Sequence, residues 1–181
     1  MDELEKPSNE IEERRFGSDY AFTGSYWDNP REMITLLGQA DLGYTFKLFG
    51  ANWEAFPHLA CFAAGFVPYR DIPKVYKYTK IVVDDANHVT KPFGSVNSRV
   101  FDALAAGRLV FTNGKIGAED TFHNLLPSFS TQEEFRRLLV YYMENPHKRE
   151  AKAKELQAFV LQNHTYAIRA SNLLEILLSL F

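Results

Sequence analysis

Short β-rich runs alternate with helical patterns along most of the chain. The predicted strands are 19–24, 44–49, 65–69, 80–84 and 108–112. The predicted helices are 30–40, 72–78, 96–106, 131–143, 147–162 and 166–178. This alternation is typical of a parallel sheet with helices on its faces. The fold class is therefore predicted as α/β, with a Rossmann-like parallel sheet flanked by helices and a helical C-terminal segment.

Signals at the helix ends support this division. Pro30 suits the first turn of helix 30–40. Thr131 and Glu134 form a capping-box pattern before an apolar run. Gly107 is well placed to end helix 96–106.

Length and charge indicate one domain with an acidic start. The chain has 181 residues and a net charge of −3, and the acidic excess lies in its first fifteen residues. Residues 1–16 are predicted to be a solvated acidic lead-in or linker, and residues 17–181 a single Rossmann-like nucleotide-sugar-binding domain. A neutral body argues against a nucleic-acid partner. No run of apolar residues is long enough for a membrane span.

Cysteine and histidine usage gives no sign of a metal or disulfide framework. Cys61, the single cysteine, lies in an apolar run and is predicted to be buried. The five histidines show no metal-ligand spacing, so no metal site is expected. The absence of a signal-peptide pattern and of cysteine pairs favours a cytoplasmic location.

Two segments carry candidate binding chemistry, since open parallel sheets bind ligands beyond the carboxyl ends of their strands. In the first, Gly24 to Pro30, a glycine at a strand end allows a ligand close to the backbone; the alternative is an ordinary polar turn. In the second, Gly94 to Gly107, amides at a helix start could hold a diphosphate. Arg99 and Asp102 lie one turn apart there, and the alternative is a solvated face with an ion pair.

Two further segments are weaker candidates. Asp84 and Asp85 follow a buried strand and could bind a metal or form a phosphoacceptor pocket, but loop-capping roles are favoured. The segment 114–119, which contains two glycines, could place backbone amides on a ligand.

Several of these segments resemble the C-terminal domain of GT-B glycosyltransferases, and in particular the CgeB-type, spore-maturation-like group. The most specific likeness is the block 95–107, followed by Leu109 to Thr112. The opening segment 19–27 with Arg31, the turn 47–53, and the ending at His164 to Ala170 are also similar to that group. The resemblance covers roughly residues 17–179.

The resemblance implies the donor-binding domain of a glycosyltransferase, which transfers a sugar from a nucleoside-diphosphate sugar to an unknown acceptor without a cofactor. It implies that Asp102 contacts the nucleotide ribose and that Arg99 and Arg31 face the diphosphate. The donor-binding residues expected on this basis are Gly24, Ser25, Arg31, Gly94, Ser95, Val96, Asn97, Arg99 and Asp102. The resemblance also places the nucleobase near Phe66 to Pro68.

Two departures from the GT-B pattern leave alternatives open. Many GT-B families have a glutamate where this chain has Gly94. GT-B enzymes also carry an N-terminal acceptor-binding domain, for which 181 residues leave no room. The expected partners are therefore a nucleotide sugar and an acceptor-binding domain or partner chain. The alternatives are a non-catalytic nucleotide-sugar-binding or partner-binding module and, ranked lower, a nucleotide-sugar epimerase.

Overall fold

A five-stranded parallel sheet forms the centre of the structure, a computed structural model that describes residues 2–27, 31–32 and 43–180. The strands are β1 Ser18–Thr23, β2 Phe46–Phe49, β3 Ala63–Gly65, β4 Thr79–Asp84 and β5 Leu109–Thr112. Their spatial order is β3-β2-β1-β4-β5 and every neighbouring pair is parallel. The predicted Rossmann-like α/β class is confirmed.

Helices follow most strands, as a parallel sheet requires. The described helices are α1 Asp2–Glu5, α2 Glu10–Phe16, α3 Pro57–Ala60, α4 Ile72–Tyr78, α5 Ser98–Ala105, α6 Lys115–Phe122, α7 Gln132–Glu144, α8 Pro146–Asn163 and α9 Tyr166–Leu178. The last three form the predicted helical C-terminal segment. The predicted helix 30–40 lies largely outside the described residues.

The sheet is covered on both faces, because successive side chains of a strand point to opposite sides. On one face, Phe22 and Phe111 pack with the helices that follow β4 and β5. On the other face, Ala21 and Phe49 pack against Phe16 and α4. The central strands are therefore fixed from both sides, and their carboxyl ends form a rigid edge.

The N-terminal lead-in, predicted to be solvated, is partly ordered against this second face. Helices α1 and α2 both contact α4. Lys77 donates to the backbone carbonyls of Lys6 and Pro7 at 2.8 and 3.1 Å. Phe16 is buried and its ring lies 6.2 Å from that of Phe49. These contacts explain why an acidic segment folds; the domain boundary at residue 17 stays a prediction.

Several sequence predictions are wrong in detail. The third strand, predicted at 65–69, lies at Ala63–Gly65. Helix α5 begins at Ser98 and not at residue 96, because Gly94 has a left-handed φ of 72° and Asn97 is still extended. Most of the segment 114–119 belongs to α6, a helix that the sequence pattern does not predict; its contact with a ligand stays a prediction. Cys61 is exposed, because it lies beside β3 at the edge of the sheet, where β3 itself is exposed.

Candidate functional site

Strand register brings the predicted ligand-binding segments to one edge of the sheet. Thr23 pairs with Phe49 across β1 and β2, and Asp84 with Thr112 across β4 and β5. A cavity of about 300 Å³ lies beyond the ends of β1 and β2, against the first turns of α5. Its lining residues are Thr23, Gly24, Ser25, Phe49, Gly50, Phe66, Val67, Tyr69, Ile72, Tyr76, Ser98, Arg99 and Asp102. The start of α5 therefore borders a cavity.

A buried carboxylate organises this edge from behind the cavity. Asp84 is only 1% exposed. Its Oδ1 accepts hydrogen bonds from Arg99 Nη1 at 2.8 Å and Asn97 Nδ2 at 2.7 Å. Its Oδ2 accepts from the Thr112 hydroxyl at 2.8 Å. A buried charge is tolerated when it is paired and hydrogen-bonded in this way.

The second acid of the pair has a local structural role. Asp85 accepts a hydrogen bond from Asn113 Nδ2 at 2.8 Å, and Asn113 Oδ1 in turn accepts from the Ala86 amide at 2.7 Å. These contacts fix the turn after β4. Among the residues that the structure describes, no group of three or more possible ligands is arranged for a metal ion.

Arg99 is held in one orientation at the cavity wall. Its Nε donates to the Thr23 carbonyl and its Nη1 to Asp84. Its guanidinium lies 4.3 Å from the centre of the Phe22 ring, within cation–π distance. The third nitrogen of the guanidinium, Nη2, lies beside Gly24. A Cβ on residue 24 would lie 2.6 Å from this nitrogen, so only glycine leaves room for it. Three contacts thus present a preorganised cation to the cavity.

Arg31 lies on the same aromatic ring. Its guanidinium is 5.7 Å from the centre of Phe22, and its Nη1 donates to the Asp85 carbonyl at 3.4 Å. Burial lowers the pKa of Arg31, and the nearby positive charge of Arg99 lowers it further. The structure therefore brings the two predicted phosphate-binding arginines together.

The amides of the first turn of α5 are available to a ligand. Asn97 is the N-cap residue, but its side chain makes no capping hydrogen bond because its amide is directed to Asp84. The first N–H groups of a helix have no acceptor within the helix. Within the described part of the chain, no acceptor is recorded for the amides of Ser98 and Arg99. The positive end of the helix dipole adds to their attraction for an anion.

The residues just before α5 have other contacts. The amides of Gly94 and Ser95 donate to the carbonyls of Lys91 and Thr90 at 3.1 and 3.4 Å. The segment 94–96 packs on α6, where a Cβ on residue 117 would meet Val96 at 2.7 Å. The Gly94 and Ser95 amides are therefore already hydrogen-bonded within the chain, and the open amides of the helix itself are those of Ser98 and Arg99.

Asp102 lines the same cavity one turn further along α5. Burial raises the pKa of Asp102, while a hydrogen bond from the Tyr69 phenol and the charge of Arg99 oppose that rise. Tyr69 is 75% exposed and also lines the cavity. The ionised carboxylate of Asp102 can accept hydrogen bonds but cannot donate them, so Asp102 is suited to a ligand that carries hydroxyl donors.

The backbones of two loops meet beside this site. The Gly24 amide donates to the Phe49 carbonyl at 2.7 Å, and the Ser25 hydroxyl accepts from the Ala51 amide at 3.0 Å. A Cβ on residue 50 would collide with the Gly24 carbonyl. Trp53 Nε1 donates to the same carbonyl at 2.9 Å. These contacts hold the Gly24–Ser25 turn at the cavity rim.

The sequence matches a known protein family over most of its length. The sequence model of the family described as glycosyl transferase-like matches residues 14–175 of this chain. The chain belongs to the glycosyl transferase-like family. A comparison with curated proteins gives no match.

Among solved structures, this glycosyl transferase-like chain is similar to the wall teichoic acid polymerase TagF, with 15% identity and a TM-score of 0.44. The match covers 88% of this chain and 38% of TagF, so the chain spans well under half the length of that protein.

The predicted donor-binding residues of this glycosyl transferase-like chain fall into two groups. Gly24, Ser25, Arg99 and Asp102 line one cavity. The others, Arg31, Gly94, Ser95, Val96 and Asn97, do not line it. The assignment of both groups as donor ligands stays a prediction.

Two residues that shape the site are not evident from the sequence. The sequence favours a loop-capping role for Asp84, although an acid at the end of a buried strand could indicate a partner for Arg99. Tyr69 is distant from Asp102 in sequence and meets it only in the fold, so no local pattern indicates it. Of the described helices, none is long and apolar enough to cross a membrane.

Proposed function

We propose that this chain is the donor-binding domain of a GT-B-type glycosyltransferase, which binds the nucleoside diphosphate of an activated sugar and acts with an acceptor-binding domain or partner chain. One observation carries the proposal: Ser98 and Arg99, whose amides are open, line a single cavity with Asp102 at the carboxyl edge of a parallel sheet, and the Arg99 guanidinium is fixed there. Membership of the glycosyl transferase-like family supports it.

The start of α5 supplies the chemistry for a diphosphate. The amides of Ser98 and Arg99 and the helix dipole favour phosphate oxygens. The Arg99 guanidinium adds a charge-assisted donor whose position Asp84 and Phe22 hold in advance. Departure of the sugar leaves negative charge on the diphosphate, which such preorganised donors stabilise.

Asp102 supplies the contact for the ribose. Its carboxylate lies one turn from Arg99, so a nucleotide whose phosphates meet the helix start extends its ribose hydroxyls toward Asp102. The exposed rings of Phe66 and Tyr69, which line the same cavity, offer apolar surface to the base. At about 300 Å³ the cavity matches the lower end of small-molecule sites.

The test is a titration with paired nucleotides. UDP, GDP and dTDP are titrated into the wild type, and the one that binds is compared with its 2′,3′-dideoxy form. We expect the wild type to favour the ribose form by about ten- to a hundredfold, the value of a hydrogen bond to a charged group. Asp102→Asn should reduce that preference, whereas Glu133→Gln, an exposed acid on α7, should leave it unchanged.

Two results would contradict the proposal. One is a failure of every nucleoside diphosphate to bind the wild type. The other is an equal ribose preference in the wild type and Asp102→Asn. Turnover of a nucleotide sugar, measured with and without an added acceptor-binding domain, then distinguishes a catalytic domain from a non-catalytic binding module.

A further inference from the structure

A second cavity, of about 290 Å³, lies between α5, the end of α8 and the start of α9. It is lined by Ser98, Phe101, Asp102, Ala105, Val160, Leu161, His164, Thr165, Tyr166 and Arg169. Ser98 and Asp102 also line the first cavity, so the two cavities share one face of the helix. Nothing in the proposed donor site uses the residues contributed by α9.

One cation in this cavity is held in a defined position. The Arg169 guanidinium lies 4.9 Å from the centre of the Phe101 ring. Its Nη2 is 3.1 Å from His164 Nδ1. Arginine side chains at a surface are otherwise free to sample many rotamers. Stacking and a hydrogen bond together remove much of that freedom before any ligand arrives.

His164 is suited to accept that hydrogen bond. Its ring lies among Phe101, Phe122 and Phe159, with centroid distances of 5.4, 5.9 and 5.4 Å. Burial lowers the pKa of His164, and the charge of Arg169 lowers it further. The imidazole is therefore neutral at physiological pH, and its Nδ1 can accept from the guanidinium. His164 is a positioning residue for Arg169.

The charge of Arg169 is not neutralised by a carboxylate. Within the described residues, no Asp or Glu oxygen lies within 4.0 Å of its guanidinium. Asp102 lines the same cavity but lies beyond that distance. The Tyr166 phenol, 81% exposed, and the Ser98 hydroxyl add hydrogen-bonding groups. Phe101, Val160 and Leu161 make the remaining wall apolar.

We propose that Arg169, with Tyr166 and Ser98, forms a second subsite that binds a phosphate or carboxylate group carried on an apolar or sugar ring. A fixed guanidinium is suited to bidentate binding of either anion. The apolar wall accommodates the ring that bears it. The anion comes either from the donor itself or from a separate ligand such as the acceptor. Anion binding at this subsite does not depend on the proposed donor function.

The test uses phenyl phosphate as the probe and benzyl alcohol as its neutral counterpart. Binding to the full chain is followed by NMR through the His164 imidazole signal, since an anion beside Arg169 should raise the pKa of His164. We expect saturable binding of phenyl phosphate and none of benzyl alcohol. Arg169→Gln should weaken the binding of phenyl phosphate at least about tenfold, and Arg169→Lys should weaken it less. Arg136→Gln, a change at an exposed arginine on α7, should leave the affinity unchanged.

A nucleoside diphosphate added to the complex identifies the source of the anion. Displacement of phenyl phosphate assigns the subsite to a group of the donor, whereas simultaneous binding assigns it to a separate ligand. Equal affinity of Arg169→Gln and wild type, or equal binding of benzyl alcohol, would overturn the proposal. Failure of nucleoside diphosphates alone would contradict only the donor function.

Discussion

Replacement of Asp84 by Asn tests whether this buried acid acts through Arg99. The amide oxygen can still accept from Arg99 and Asn97, and the Thr112 hydroxyl can turn to accept from the new amide N–H. The shape and the number of hydrogen bonds are thus preserved while the charge is lost. Hydrogen bonds to charged groups contribute about 1.5–3 kcal/mol and neutral ones about 0.5–1.5 kcal/mol. Arg99 keeps its charge, so the bonds from Asn97 and Thr112 are the two that become neutral, and we expect Asp84→Asn to reduce the free energy of unfolding by about 2–3 kcal/mol.

The assay is urea unfolding of a double-mutant cycle. Asp84→Asn, Arg99→Gln and the double variant are compared with the wild type at pH 7. Because each single variant leaves the other partner buried without its counter-charge, the double variant should be less destabilised than the sum of the two by about 1.5 kcal/mol or more. Asp19→Asn is the matched control, since its pair with Lys80 at 2.6 Å is partly exposed and should contribute at most about 1 kcal/mol.

The same cycle has a functional readout. Asp84 does not line the cavity, so it has no direct contact with a ligand there and acts on binding through the residues it holds. Nucleoside diphosphate affinity should fall about tenfold in Asp84→Asn, in line with the loss of one charge-assisted contact. The reasoning would be refuted if the destabilisations of Asp84→Asn and Arg99→Gln add within about 0.5 kcal/mol in the double variant and if Asp84→Asn leaves the nucleoside diphosphate affinity unchanged.

Further substitutions test the rest of the site. Asp102→Asn should stabilise the protein at pH 7. Burial raises the pKa of Asp102 in the folded protein above its unfolded value. The protonated carboxyl therefore contributes stability below the unfolded pKa, and this contribution is lost as pH rises through the folded pKa. Urea unfolding should show this gain at pH 7 and its decline toward pH 3, and a gain that persists at low pH would contradict it. Gly50→Ala should be far more destabilising than Gly65→Ala, because a Cβ at 50 meets the Gly24 carbonyl whereas a Cβ at 65 meets nothing within 4 Å and costs only about 1 kcal/mol of backbone strain. Gly24→Ala should weaken nucleoside diphosphate binding and also reduce stability, since a Cβ there displaces Arg99, which is paired with Asp84, and crowds the buried Phe22 ring. Equal affinity would remove Arg99 Nη2 from the site.

The sequence alone determined the alternation of strands and helices and most of the long elements, but not the helices α1, α2, α3 and α6. Periodicity places α4 at Ile72–Tyr78 and α9 at Tyr166–Leu178 with the bounds that the structure shows. Strands β1, β2, β4 and β5 are predicted because buried strands of a parallel sheet are continuous apolar runs, whereas the exposed β3 is predicted to start two residues too late. Helix α5 was recognisable as a helix, and Arg99 and Asp102 were recognisable as neighbours on it, because helical geometry fixes which residues share a face.

Only the tertiary structure decided which residues meet. Whether Arg99 pairs with Asp102 or with Asp84 depends on the pairing of β4 with its neighbours and on the direction in which α5 leaves the sheet. Helical spacing leaves both open. The contact of Tyr69 with Asp102 also depends on the fold, because it joins segments far apart in the chain. The contact of Arg169 with His164 depends on it as well, because the fold fixes the orientation of the imidazole. Local propensity reports on residues a few positions apart, whereas a binding site is assembled from the ends of several strands.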